Sequence, residues 1–233
     1  MPTATYLERR GQIETYFDRT AADAWRRLTS TEPVGRIRAT VRAGRDQMRQ
    51  TLLDWLPADL EASRLLDAGC GTGALSIAAA GRGGDVVAID LSPTLVQLAN
   101  ERSPRIAGTG AVTFLVGDML NPDLGRFDHV VAMDSLIHYG ARDVIRVLSN
   151  IATRTERSIL FTFAPRTPLL ATMHAVGRLF PRGDRAPAIE PIAEATMDRL
   201  LAAEPGLRDW RRARTHRVMT GFYMSQAMEL VRR

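Results

Sequence analysis

The sequence predicts an α/β protein built on a doubly wound, mostly parallel sheet. Three observations carry this expectation. Between residues 64 and 163, short apolar runs alternate with helix-periodic segments, a pattern that demands right-handed crossovers and parallel strands. The first run, Leu65-Leu66-Asp67-Ala68, breaks into Gly69-Cys70-Gly71-Thr72-Gly73 and then into the helix-favouring Ala74–Ala80. Glycine's freedom at positive φ suits a tight strand-to-helix turn, and backbone without Cβ atoms lets a ligand come close. Finally the alternation stops, and the chain ends on two strand-like runs at 210–218 and 221–231. Spaced as a hairpin, they place an antiparallel partner in a sheet of seven strands.

Residues 1–60 form an N-terminal helical arm and cap. Tyr6, Leu7, Ile13, Tyr16 and Phe17 recur at helical spacing, Trp25 and Leu28 follow, and the stretch 31–35 breaks the pattern. A second helix carries Ile37, Val41, Met48, Leu52, Leu53, Trp55 and Leu56 and stops at Pro57. Its other face holds Arg36, Arg38, Arg42, Arg45 and Arg49, a stripe expected to be solvated. The core, 61–164, has strands at 65–68, 86–89, 112–116, 128–133 and 158–163. Helices follow the first strand through about residue 82, then run over Pro93–Arg102 and 141–153. Ser92 is the natural cap of the middle one, with Pro93 in its first turn. Residues 165–190 read as an insert on the substrate side, punctuated by prolines and holding one apolar segment, 169–180. A helix at about 192–203 and the closing hairpin make up 191–233.

Bulk composition narrows the function classes. The 233 residues are 45% hydrophobic and 24% charged, ordinary for a globular domain. No apolar run approaches the roughly 18 residues that span a bilayer, and the N-terminus lacks a signal-peptide core. A cytoplasmic address is expected. One cysteine excludes a disulfide framework and a cysteine metal cluster. The net charge is +5. Every basic residue is arginine, which excludes lysine Schiff-base chemistry.

The glycine turn allows two ligands. A dinucleotide site uses Gly-x-Gly-x-x-Gly, but here the third glycine comes one residue early and Asp67 precedes the turn. A carboxylate there repels a pyrophosphate and suits an ammonium group. The combination resembles motif I of the class I S-adenosylmethionine-dependent methyltransferases, whose fold is Rossmann-like. That resemblance implies that Asp67, Gly69, Gly71 and Gly73 cradle S-adenosylmethionine. Asp90 would accept from both ribose hydroxyls, with Leu91 and Ser92 along the adenosine. Asp118 would meet the adenine amino group, Met119 would pack on the ring or offer its N–H, and Met133 would meet the methionine moiety.

A narrower resemblance extends over nearly the whole chain. Tyr16-Phe17-Asp18-Arg19-Thr20 with Trp25, Val41-Arg42-Ala43-Gly44-Arg45, Ile137-His138-Tyr139, Phe163-Ala164-Pro165-Arg166-Thr167-Pro168, Leu179-Phe180-Pro181 and Gly221-Phe222-Tyr223-Met224-Ser225 are similar to the magnesium-protoporphyrin IX methyltransferases of chlorophyll and bacteriochlorophyll synthesis. The chain departs from them at Arg45, where relatives commonly carry histidine, and at 182–187. The resemblance implies esterification of one propionate of magnesium-protoporphyrin IX. Tyr16 and His138 would hold that propionate, and Arg42 or Arg45 would meet a carboxylate of cofactor or substrate. It implies no protein-bound metal, since the magnesium belongs to the substrate. It further implies a partnership with the large porphyrin-binding subunit of magnesium chelatase, no nucleic acid, and at most peripheral contact with the photosynthetic membrane. The competing expectations are another small-molecule methyltransferase, acting for example on a quinone precursor, and an RNA methyltransferase favoured by the basic charge. Against the latter, the segment after the fourth strand is not Asn-Pro-Pro-Tyr.

Overall fold

A computed structural model describes residues 2–20, 29, 35–106, 108–166 and 188–233. The expectations placed on Trp25, Leu28, the apolar segment 169–180 and residues 182–187 lie outside them. The chain opens with helix α1 (Ala4–Thr15), capped by the Thr3 hydroxyl, which accepts from the Tyr6 N–H. One π-helical turn, Tyr16–Thr20, continues it. Helix α2 (Arg36–Trp55) follows, then strand β1 (Arg64–Ala68) and helix α3 (Ala74–Ala80). Next come β2 (Asp85–Asp90), α4 (Pro93–Arg102) and β3 (Ala111–Val116). Strand β4 (Phe127–Ala132), helix α5 (Ala141–Ala152) and strand β5 (Thr155–Phe163) complete the alternation. Helix α6 (Glu194–Ala203) leads into the hairpin of β6 (Trp210–Thr220) and β7 (Tyr223–Arg232).

The seven strands lie in the order β3-β2-β1-β4-β5-β7-β6, and β7 runs antiparallel to both its neighbours. Successive residues on the central strands face opposite ways, as the pleat requires. Leu66, Val130 and Phe161 pack on one face with Val144, Leu148 and Met197 of α5 and α6. Leu65, Val131 and Leu160 pack on the other with Met48 and Leu52 of α2. Helix α5 buries Val144, Ile145, Val147, Leu148 and Ile151, the stripe expected of an amphipathic helix on a sheet. The chain order reverses between β1 and β4, so the loops at their carboxyl ends diverge and leave a crevice.

Three details differ from the sequence expectation. Tyr16 and Phe17 belong to the π turn rather than to α1. Helix α6 starts two residues late because Ile192 is held in a parallel bridge to Pro165, its N–H donating to Ala164 O at 2.9 Å. The arginine stripe of α2 is not uniformly solvated. Gly44 explains the last point: a Cβ there would lie 2.4 Å from the Tyr223 ring. Only glycine lets α2 settle this closely against β7, and the close approach turns part of the stripe inward.

Candidate active site

A cavity of about 440 Å³ opens at the carboxyl ends of the parallel strands. Its floor begins at the glycine turn. Gly69 takes φ 89°, and a Cβ there would lie 2.4 Å from Ser135 Cβ. The amides of the turn are satisfied internally: Gly69 and Cys70 donate to Ile89 O, Gly73 donates to Cys70 O, and Gly71 donates to Asp90 Oδ2 at 2.8 Å. Four N–H groups are thereby unavailable to a phosphate, and what the turn shows the cavity beside them is a carboxylate. This geometry disfavours a pyrophosphate and fits a neutral ribose diol. Asp90 Oδ1 also accepts from the Ser92 N–H at 3.0 Å, and burial raises the Asp90 carboxyl above its ordinary range. Leu91 and Met119 line the same end.

The arm supplies the roof of this end. Tyr6 OH donates to Asp118 Oδ1 at 2.8 Å and Arg10 Nη1 donates to Oδ2 at 2.9 Å. The Leu120 N–H also donates to Oδ1. Among the described residues, three of the roughly four acceptor positions of the Asp118 carboxylate are thus filled. Tyr6 stacks on Tyr139, ring centres 4.9 Å apart. Thr3 and Thr5 bond Asp143, and Arg9 pairs with Glu190 at 3.0 Å. The arm is therefore part of the cavity wall.

Four expected cofactor residues lie behind the wall rather than on it. Asp67 is 1% exposed and accepts from Ser76 Oγ at 2.6 Å, at the start of α3. Burial pushes its carboxyl up to about 7. Its bond to Ser76 ties the end of β1 to α3 behind the glycine turn, and Asp67 is not among the cavity-lining residues. Gly73 packs helix on sheet, since a Cβ there would lie 2.6 Å from the Phe114 ring. Ser92 caps α4 by accepting from the Leu95 N–H. Arg42 is not among the cavity-lining residues, whereas Arg38, Val41 and Arg45 of the same helix are.

At the other end Tyr16 and His138 both line the cavity. Phe17 links them edge-on, 5.2 Å from the Tyr16 ring centre and 6.2 Å from that of His138. His138 Nδ1 donates to Ala188 O at 3.4 Å, carbonyl oxygen being an acceptor only. Below them stands Asp134, beside Met133 and at φ 54°. Its carboxylate accepts from Arg45 Nη1 at 2.7 Å, Tyr223 OH at 3.0 Å, Ser225 Oγ at 3.1 Å and Thr162 Oγ1 at 3.2 Å. Burial and the Asp134 charge both raise the Tyr223 hydroxyl. The Cys70 thiol is raised by burial too.

Comparison with known proteins extends over the whole of this arrangement. A family model described as the magnesium-protoporphyrin IX methyltransferase C-terminus matches residues 132–232, and one described as a methyltransferase domain matches 65–157. The magnesium-protoporphyrin O-methyltransferase of Rhodobacter capsulatus is 48% identical over 96% of this chain and 97% of its own. This chain belongs to the magnesium-protoporphyrin O-methyltransferase family. The Synechocystis member is 31% identical over 99% of both chains. A crystal structure of magnesium protoporphyrin IX methyltransferase from Synechocystis PCC 6803 with bound SAH superposes with a TM-score of 0.84 at 30% identity, covering 96% of this chain and all of that one.

For this family member, sequence reasoning missed Tyr6, Arg10 and Tyr139 around Asp118, and Asp134 with Tyr223 and Ser225. Tyr139, Asp134, Tyr223 and Ser225 each sit in a segment the sequence had flagged. Nothing local joins them, because Asp134 meets its Tyr223 and Ser225 partners across 89 and 91 positions.

Proposed function

We infer that this protein transfers the methyl group of S-adenosylmethionine to one propionate carboxylate of magnesium-protoporphyrin IX, giving the monomethyl ester of bacteriochlorophyll synthesis. The observation that carries this is 48% identity over 96% of the chain, which takes in the arm and the acceptor end as well as the cofactor end. When bound, S-adenosylmethionine supplies a methyl carbon on a cationic sulfur, and a propionate oxygen takes it as the carbon–sulfur bond breaks, leaving a neutral ester and thioether with no proton moved.

A propionate is ionised at pH 7, so this chain supplies no base. It supplies alignment and a dry cavity. Asp90 holds the ribose hydroxyls, Leu91 and Met119 flank the adenine, and Asp118 meets the adenine amine. Gly69 and Gly71 leave room for the cofactor backbone, and Met133 and Asp134 border the methionine end. Tyr16 and His138 hydrogen-bond the reacting propionate from the acceptor end, with Phe17 fixing their spacing. Opposite charges merge during transfer, so apolar walls favour the transition state over the separated ions.

Incubation with S-adenosylmethionine and magnesium-protoporphyrin IX is expected to yield the monomethyl ester; absence of ester from the intact protein overturns the function. Tyr16→Phe and His138→Ala are expected to lower kcat at least tenfold with cofactor affinity retained, and full rates in both would remove these roles. The substrate reading includes delivery by the large porphyrin-binding subunit of magnesium chelatase, tested by whether that subunit lowers the KM for the porphyrin. No described helix is long and apolar enough to cross a membrane. Any membrane contact is therefore proposed as peripheral, and flotation with liposomes tests it.

A further inference from the structure

We propose that Arg38 binds the propionate that is not methylated, with the macrocycle lying across the cavity mouth against Phe222. The proposal rests on the porphyrin reading above and adds a second carboxylate subsite to it. A porphyrin with two propionates presents one carboxylate to Tyr16 and His138 and keeps the other ionised, and that second charge needs a cation.

The cavity wall offers two. Arg38, Val41 and Arg45 stand at i, i+3 and i+7 on α2 and all line the cavity, which sets the two arginines on one face with their Cα atoms about 10 Å apart along the axis. Arg45 lies at the inner end, its side chain 20% exposed and its charge neutralised by Asp134, itself 6% exposed. Arg38 lies at the outer end, exposed, and among the described residues no carboxylate pairs with it. Among the described cavity-lining residues it is the cation without a carboxylate partner.

The mouth beside it is apolar. The β6–β7 turn is fastened to the first turns of α2: the Phe222 N–H donates to Thr40 Oγ1 at 3.4 Å, and a Cβ on Gly221 would lie 2.6 Å from that same oxygen. This holds Phe222, 56% exposed, over the cavity that Arg38 also lines. Ile37, beside Arg38 in sequence, and Met219, two positions before Gly221, are equally exposed. An exposed aromatic ring on the rim of a cavity is a surface that a flat apolar ring can cover, and a carboxylate on that ring then reaches Arg38.

The subsite also accounts for stopping at the monoester. For a second transfer the product must present its remaining carboxylate to Tyr16 and His138, which sets the new ester against Arg38 and forfeits the charged hydrogen bond.

The test is steady-state kinetics of Arg38→Gln and Arg38→Lys with two mono-amides of magnesium-protoporphyrin IX, each lacking one ionised propionate. With the diacid, Arg38→Gln is expected to raise KM about tenfold with kcat within about twofold. That change corresponds to about 1.4 kcal/mol, and Arg38→Lys recovers most of it. For whichever mono-amide is esterified, the intact protein itself is expected to show the tenfold higher KM, and Arg38→Gln adds nothing to that loss. The Gln variant is also expected to release detectable diester. S-adenosylmethionine affinity reports folding and is expected to hold. An unchanged KM for the diacid in Arg38→Gln, or additive losses with the mono-amide, overturns the subsite. Failure of the intact protein to esterify the diacid overturns the porphyrin reading instead.

Discussion

Arg45 Nη1 lies 2.7 Å from Asp134 Oδ2, tying the middle of α2 to the loop after β4. Tyr223 and Ser225 of β7 donate to the same carboxylate. One residue at a positive φ thus holds the arm-side helix, the loop after β4 and the antiparallel strand together at the cavity floor. Removing one member of such a buried pair leaves a charge with no compensation.

Asp134→Ala is accordingly expected to destabilise the fold by about 2–4 kcal/mol, read as a lower urea midpoint. Asp134→Asn keeps acceptors for Tyr223 and Ser225 and is expected to lose about half as much. Equal midpoints for Asp134→Ala and the intact protein contradict this assignment.

Asp90 is expected to govern cofactor affinity, because it holds the Gly71 amide and faces the cavity at once. Asp90→Ala loses charge-assisted bonds to both, and a fall of about a hundredfold in S-adenosylmethionine affinity is expected by calorimetry. A change below threefold removes the ribose role.

The contacts of Tyr6 and Arg10 with Asp118 couple the arm to the cofactor end. Tyr6→Phe is expected to cost about 1 kcal/mol of arm docking. Amide exchange across residues 4–15 should quicken, and the cofactor off-rate should rise with it. Unchanged exchange in α1 would show that the arm is held by its other contacts alone.

Gly44→Ala puts a methyl group into the Tyr223 ring, at 2.4 Å. The ring and helix must part, at a cost of about 1–3 kcal/mol and with a looser Arg45–Asp134 pair. A lower melting temperature together with a raised substrate KM is the expected signature.

Asp67 makes stability depend on pH in a defined direction. Burial pushes its folded carboxyl up to about 7, against about 3.9 in the unfolded chain. Between those values the native state holds a proton that the unfolded state has released, so this group's contribution is full below about pH 4 and is lost as pH rises through about 7. Asp67→Asn keeps an acceptor for Ser76 and has nothing to titrate. Its melting temperature relative to the intact protein is expected to climb from pH 4 to 7 and level off above; a gap that does not change with pH refutes the buried-proton account.

The sheet and its crossovers were legible in the sequence because their signals are local. Apolar runs of strand length, glycines at a strand-to-helix turn and Ser92-Pro93 ahead of a helix each declare a backbone state within a few residues. Asp90 and Leu91 were placed on the cavity for the same reason, since a strand end in this alternation has one destination. Arg42 lies off the cavity lining while Arg38 and Arg45 are on it, because spacing marks an arginine stripe without saying which of its members a packed neighbour draws inward. Gly44 against Tyr223, 179 positions away, decides that.

The sequence alone therefore determined the fold class, the glycine turn at the cavity and the family to which the chain belongs. Tertiary structure alone decided that Asp67 bonds Ser76 behind the turn, that Tyr6 and Arg10 hold Asp118, and that Arg45 has a carboxylate partner while Arg38 has none among the described residues. The physical reason is that a charge has no fixed meaning in sequence. Its role depends on burial and on the partner that folding brings within about 3 Å, and here those partners come from the far ends of the chain.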